Sequence, residues 1–197
     1  VLEPFAGAVL SLTPGASTQL GGLQHGGVLL GMVAVALLGS RIGAGRQRFM
    51  RTFVVAGCLG STVLLGGLAI AGFVGDSWPL YGNVFLLGIA NGVFAVAAIG
   101  AMMGLVAEGA KRRDGVRMGV WGAAQAIAFG LGGVLGTTMV DIVRWVTGSP
   151  LYAYSFVFLA QGVLFSVAVV LALRLSATDA DTPSINVPAG QLRPEAG

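Results

Sequence analysis

The feature that most constrains this chain is a succession of long apolar stretches with arginines in alternate gaps only. Leu20–Gly39, Thr52–Val74, Leu80–Val106, Met118–Val140 and Tyr152–Leu173 are each apolar over about 20 residues or more, the length a helix needs to cross a bilayer core of about 30 Å. Charges gather between the stretches and almost never inside them. The pattern predicts an all-α transmembrane protein whose function lies inside a helical bundle.

Composition narrows this further. Only 10% of the residues are charged, where a soluble domain carries about a quarter. Gly is the other outlier, at 33 of 197 residues, and no G-x-y period accompanies it, so collagen is excluded. In membrane bundles small residues let backbones approach closely. A tightly packed bundle is therefore expected. The net charge of +3 comes mainly from loop arginines, which suit anionic lipid headgroups. No interleaving of aromatic and basic residues points to nucleic acid. The single cysteine, Cys58, lies mid-helix and forms no internal disulfide. The chain starts at Val1, already within an apolar segment, and reads as a portion of a longer protein.

Topology follows from the arginines. Arg41, Arg46, Arg48 and Arg51 lie in one gap, Lys111, Arg112, Arg113 and Arg117 in another, and Arg174 follows the last stretch. The opposite loops contain only Arg144, which is nine basic residues against one. The positive-inside rule puts the arginine loops and the C-terminus in the cytoplasm. Trp78, Tyr81, Trp145, Tyr152 and Tyr154 fall near the opposite boundary, as an interfacial belt should. The segment Val1–Leu12 is too short to span alone and reads as the outer part of a helix entering from the cytoplasm. The expected organisation is a transmembrane bundle over 1–175, with a partial helix at 1–12 and full helices at about 20–39, 52–74, 80–106, 118–140 and 152–173. Residues 176–197 are polar, contain Pro183, Pro188 and Pro194, and read as a disordered cytoplasmic tail.

Small-xxx-small spacings recur at Gly22/Gly26, Gly27/Gly31, Gly88/Gly92, Gly100/Gly104 and Gly132/Gly136. Plain helix packing accounts for such pairs; the alternative is a glycine-lined groove for a large flat ligand.

Few residues can carry chemistry. Glu3 is a carboxylate at membrane depth, which is costly and marks a partner, a pathway or a substrate contact. Pro4 after it frees a backbone carbonyl. The competing reading is that Glu3 neutralises a basic residue in a preceding segment. His25, the only histidine, sits in Gln24-His25-Gly26-Gly27 near the outer end of its stretch. A neutral imidazole is a good axial ligand for the metal of a tetrapyrrole, and the adjacent glycines leave room for a flat ring. The competing reading is a hydrogen-bonded interfacial histidine. Asn91, Gln125 and Gln161 are uncharged polar residues in separate helices, suited to interhelical hydrogen bonds or to a ligand. No second His and no Cys or acidic cluster supports a metal site built by protein side chains alone. There is no G-x-x-x-x-G-K-[ST], H-E-x-x-H or G-x-S-x-G. The chain is expected not to be an enzyme.

The loop Gly39-Ser40-Arg41-Ile42-Gly43-Ala44-Gly45-Arg46 resembles the G-x-x-x-D-R-x-G-R-R loop of the major facilitator superfamily, with Ser40 where that motif has Asp. Arg41, Arg46 and Arg48 would then form a cytoplasmic gate loop. Val1-Leu2-Glu3-Pro4-Phe5-Ala6-Gly7, Gly15-Ala16-Ser17-Thr18-Gln19-Leu20 and Gly26-Gly27-Val28-Leu29-Leu30-Gly31 resemble the seventh and eighth helices of PucC/LhaA-type proteins. Gly119-Val120-Trp121-Gly122-Ala123-Ala124-Gln125-Ala126 resembles their eleventh. This is the bacteriochlorophyll delivery group of the superfamily, and the resemblance covers nearly all of Val1–Leu175.

The resemblance implies the C-terminal six-helix half of a major facilitator fold, first helix incomplete, with the N-terminal half as a partner. It implies a multi-pass protein of the bacterial inner (intracytoplasmic) membrane that delivers bacteriochlorophyll to light-harvesting antenna polypeptides, or chaperones them, and that meets those polypeptides or the reaction-centre core complex. Bacteriochlorophyll would be held transiently, and His25, Glu3, Asn91 and Gln125 are the expected pigment or substrate contacts. Two alternatives stand beside this. One is secondary transport of a small solute by alternating access, for which Glu3 is the titratable group. The other is a structural subunit docked stably to a photosynthetic complex.

Overall fold

The computed structural model describes residues 1–41, 46–107 and 114–180. These form a short helix α1 (Leu2–Ala8) and five long ones, α2 (Pro14–Ser40), α3 (Arg46–Val74), α4 (Leu80–Ala107), α5 (Asp114–Thr147) and α6 (Pro150–Ala180). All five long helices are apolar enough, over sufficient length, to cross a membrane. The all-α transmembrane expectation holds.

The helices overrun the apolar windows that announce them. The windows mark the part that lipid requires to be apolar, whereas helix ends are set by caps and turns. Thr13 caps α2, its hydroxyl accepting from Ala16 N at 3.4 Å, and Pro14 opens the helix, where a missing N–H costs nothing. The start of α2 therefore lies well before the predicted Leu20, so His25 stands about 16 Å along the helix from Pro14 at 1.5 Å per residue. That places it toward the middle of the 27-residue helix. At the other end of the chain α6 continues to Ala180, past the expected limit at Leu173. Residues 181–197 lie outside the described residues, as do 42–45 of the arginine loop and 108–113.

The turn from α5 to α6 is made by Gly148, at φ +67°, whose N–H donates to Arg144 O at 2.8 Å. A left-handed residue just past the helix closes its last carbonyls, and only glycine adopts that backbone freely. Pro150 then starts α6. Gly148→Val is expected to cost about 1–3 kcal/mol, read as a lower midpoint of thermal unfolding in detergent. An unchanged midpoint would contradict the assignment.

Glycines also set the closest packing in the bundle. A Cβ at Gly27 or Gly31 of α2 would collide with the carbonyl oxygens of Phe85 or Ile89 in α4. Reciprocally, a Cβ at Gly88 or Gly92 would collide with the carbonyls of Gln24 or Val28. Position 24 faces 88 and 28 faces 92, so α2 and α4 run parallel with backbone against backbone. Two of the small-residue pairs read from the sequence thus interlock. Gly22, Gly26 and Gly132, by contrast, have nothing within 4 Å of an added Cβ.

Helix α3 runs antiparallel to both α4 and α6 and is tied to α6 by hydroxyls. Thr62 Oγ1 donates within its own helix to Cys58 O at 3.0 Å and reaches Gly162 O of α6 at 3.3 Å. Ser155 Oγ of α6 donates to Ala69 O of α3 at 2.9 Å. Such bonds replace water where none is present, at about 0.6 kcal/mol each. This alternation brings Arg41, Arg48 and Arg174 to one end of the bundle, with Arg46 opening α3 there. Asn83 and Trp78 clamp the opposite end. With its amide turned so that both ends meet a partner, Asn83 donates to Leu64 O at 3.1 Å and accepts from Trp78 Nε1 at 3.3 Å.

Phe5 pins α1 into this frame. It is fully buried, edge-on to Phe158 at 5.0 Å and to Tyr154 at 5.8 Å. Together with Leu20, Leu68 and Val84 it forms the main apolar core. A smaller cluster around Val35, Met50 and Ala97 lies toward the arginine end. Helix α5 is different. It packs chiefly on α6, and among its described side chains only Val140 is buried.

Candidate intramembrane cavity

Phe5 carries the rest of α1 with it, and that positions Glu3. The carboxylate lies against Gly21 of α2, where an added Cβ would stand 2.5 Å from Glu3 Oε1. Glycine at that position leaves the space the carboxylate occupies. One turn further along α2 is His25. Its Nδ1 lies 2.7 Å from Gly21 O. A carbonyl only accepts, so Nδ1 carries the proton. In the neutral ring the lone pair then belongs to Nε2. A backbone carbonyl that fixes Nδ1–H is the arrangement that readies the other nitrogen for a metal.

These residues open onto a cavity of about 650 Å³, walled by α1, α2, α3, α4 and α6 and partly open on one side. The volume falls within the range of small-molecule and cofactor sites. Most of the wall is apolar, with Leu65, Leu68 and Leu87 on one side. Phe94 and Phe165 meet edge to face at 5.8 Å. Into this wall converge five polar side chains: Glu3, Gln24, His25, Asn91 and Gln161.

Asn91 is oriented from behind. Ser61, fully buried on α3, donates its hydroxyl to Asn91 Oδ1 at 2.9 Å. That commits the carbonyl end of the amide to α3 and leaves the NH2 group as the donor for the cavity. Ser61→Ala is expected to destabilise the fold by only about 0.6 kcal/mol, while freeing the amide to rotate. A much larger loss would mean that Ser61 serves packing as well. The side chains of Glu3, Gln24 and Gln161 hydrogen-bond to no other described residue. Polar groups at membrane depth that are not spent on each other mark a binding surface.

Of the site residues expected from sequence, the structure gathers His25, Glu3 and Asn91 in one cavity and leaves Gln125 apart. Gln125 is on α5, which contributes nothing to the cavity wall. The amide that takes part instead is Gln161 of α6, and Gln24 joins it. Gln24 was legible in principle, because Gly21, Gln24 and His25 share a helix face at i, i+3 and i+4. Arg41 is exposed at the end of α2 and Arg48 is exposed on the first turn of α3; neither lines the cavity. The side chain of Arg46 lies outside the described residues. Among those residues no group of three or more His, Cys, Asp or Glu could hold a metal ion. A metal here would have to arrive inside its own ligand.

The fold and cavity thus define a class, an all-helical polytopic membrane protein with a polar-lined binding cavity between its helices. Within that class the chain belongs to the PUCC protein family, whose model matches residues 1–180. It is similar to the "Bacteriochlorophyll synthase 44.5 kDa chain" of Rhodobacter capsulatus, at 47% identity over 87% of this chain and 39% of that protein. It is also similar to "Protein PucC" of Cereibacter sphaeroides, at 30% identity over 90% of this chain and 38% of that protein. A third relative, from Rhodobacter capsulatus, is an "Uncharacterized protein in puhA-bchM intergenic region", 29% identical over 87% of this chain and 36% of its own length. The chain spans about two fifths of the length of the curated relatives it matches. No solved structure matches it significantly.

Proposed function

We propose that the cavity takes a magnesium-bearing bacteriochlorin as cargo and that the protein hands it to antenna polypeptides of a photosynthetic membrane. The observation that carries this is Nε2 of His25, whose partner nitrogen is fixed on Gly21 O at 2.7 Å in a mostly apolar cavity that four other polar side chains also line. A bacteriochlorin brings its own metal, which suits a cavity with no cluster of metal-ligating side chains among the described residues. Its ring supplies carbonyl groups, for which the amides of Gln24, Asn91 and Gln161 are suitable donors. The apolar wall suits its faces. Membership in the PUCC protein family, with one relative named for bacteriochlorophyll, supports the same cargo.

The proposed act is binding and release, with no bond made or broken in the pigment. Partners are the antenna polypeptides or the reaction-centre core complex. The setting is the bacterial inner membrane, with the arginine end and the C-terminus cytoplasmic. The N-terminal half of a major facilitator fold is the further partner in this reading, and it would cover the open side of the cavity. The direct test is transfer. Pigment-loaded full-length protein in lipid nanodiscs is mixed with pigment-free antenna polypeptides, and pigment is expected to move to them. Pigment that stays bound, or antenna polypeptides that acquire it equally well from detergent alone, would contradict the reading.

Secondary transport of a small solute has one observation in its favour, a carboxylate, Glu3, facing the cavity. It predicts solute uptake by proteoliposomes that fails in Glu3→Gln.

A further inference from the structure

We propose that a groove walled by α3, α5 and α6 seats a phospholipid of the leaflet away from the arginine end, with an acyl chain in the groove and the phosphate on Arg144. The groove has a volume of about 480 Å³. It shares no residue with the cavity that holds His25. On α6 the cavity takes Phe158, Gln161 and Phe165, whereas the groove takes Tyr152, Phe156 and Leu159. Helical spacing puts these two sets on opposite faces of α6, so the site stands apart from the pigment reading.

The wall is a hydrocarbon surface. Ile70 and Phe73 of α3 face Val143 of α5 across it, and Phe73 meets Tyr152 edge to face at 5.8 Å. Two hydroxyls belong to the wall, and both are spent on backbone. Thr147 Oγ1 donates to Val143 O at 2.7 Å, and Ser155 Oγ donates to Ala69 O at 2.9 Å. The groove therefore offers packing rather than hydrogen bonds.

Its length selects the occupant. From Tyr152 to Leu159, and from Phe73 back to Gly66, the wall runs about 10 Å along the helices. It begins where α3 and α5 end and α6 starts, so it reaches into one leaflet of a core about 30 Å thick. That suits an acyl chain of that leaflet and is too short for a molecule spanning both. Volume over length gives a section of about 50 Å², less than the roughly 80 Å² of a helix about 10 Å across. A transmembrane helix does not fit.

Charge marks the head end. Arg144 lies between Val143 and Thr147 near the end of α5, beside the mouth of the groove, and is exposed. It forms no ion pair with Asp141, three residues before it, or with any other described residue. A guanidinium matches a phosphate in shape and charge. Trp145 and Tyr152, both largely exposed, stand at the same end, as aromatics at headgroup level do.

The test uses the full-length protein in phosphatidylglycerol nanodiscs, doped with the same lipid carrying a photoreactive diazirine in the upper half of one chain. Labelled peptides are located by mass spectrometry after illumination. Label is expected to concentrate on Ile70, Phe156 and Leu159. A diacylglycerol with the same reactive chain should label them about two- to fivefold less, the range of an exposed ion pair. Arg144→Gln should bring the phospholipid down to that level. Gly66→Leu fills the groove from a position with nothing within 4 Å of an added Cβ, so the fold should tolerate it. Groove labelling should then fall at least about tenfold, because chain and side chain claim one space. Label spread evenly over all helices would overturn the site, and so would groove labelling that persists in folded Gly66→Leu. Equal labelling by phospholipid and diacylglycerol would overturn the role of Arg144. The comparison of the two lipids on unmodified protein stands even if a variant fails to fold.

Discussion

His25→Ala is expected to lower the pigment affinity of the full-length protein by at least about tenfold. Removing only the outer partner of a metal-bound histidine costs 10–100-fold, so removing the ligand should cost no less. The substitution leaves a gap on a helix that is otherwise held by glycine contacts to α4, so the fold should survive it. Free imidazole added to the variant should restore part of the binding by occupying that gap. The ligation state is read from the absorption spectrum of the bound pigment. Unchanged pigment content at equal folding would remove His25 from the site.

The largest effect on stability is expected from Gly92→Leu. A side chain there meets the carbonyl of Val28, which belongs to a rigid helix backbone. Overpacking of well-packed interiors costs about 1–3 kcal/mol, and a contact with backbone on both sides belongs at the top of that range. Because α2 carries Gln24 and His25 past α4, the cavity should be lost with the packing. Gly132→Leu is the matched control. It adds the same side chain to a position with nothing within 4 Å, so a change within about 0.5 kcal/mol is expected. Thermal unfolding of the two variants in one detergent separates a specific glycine interface from a general intolerance of bulk. Equal midpoints would contradict the interlocked α2–α4 contact.

Most of the architecture was legible because lipid imposes a simple rule on sequence. Length and apolarity announce spans, and arginine positions announce ends. The rule says little about where helices begin beyond the lipid, so α2 starts before its apolar window and His25 lies toward the middle of the helix. It also says little about which glycines interlock. Gly27/Gly31 and Gly22/Gly26 have the same spacing, yet only the first pair faces another helix. Spacing gives a periodicity along one helix, and the neighbour decides which face matters.

The same limit explains the site. Glu3, His25 and Asn91 could be singled out because each is polar in an apolar stretch, which is costly anywhere in a membrane. Gln125 satisfied that criterion equally well. It differs from Gln161 only in the helix that carries it, and α5 turns away from the cavity while α6 walls it. The fixing of His25 Nδ1 by Gly21, and of the Asn91 amide by Ser61, are contacts between particular atoms. Only the fold reveals them.

We propose that this protein carries bacteriochlorophyll to antenna polypeptides. The most direct measurement is an absorption spectrum, with mass spectrometry of the same sample, of the full-length protein purified in mild detergent from photosynthetic membranes. Bound bacteriochlorophyll together with antenna polypeptides is expected. Folded protein with neither pigment nor antenna polypeptides would contradict it and make Glu3-dependent solute transport the reading to pursue.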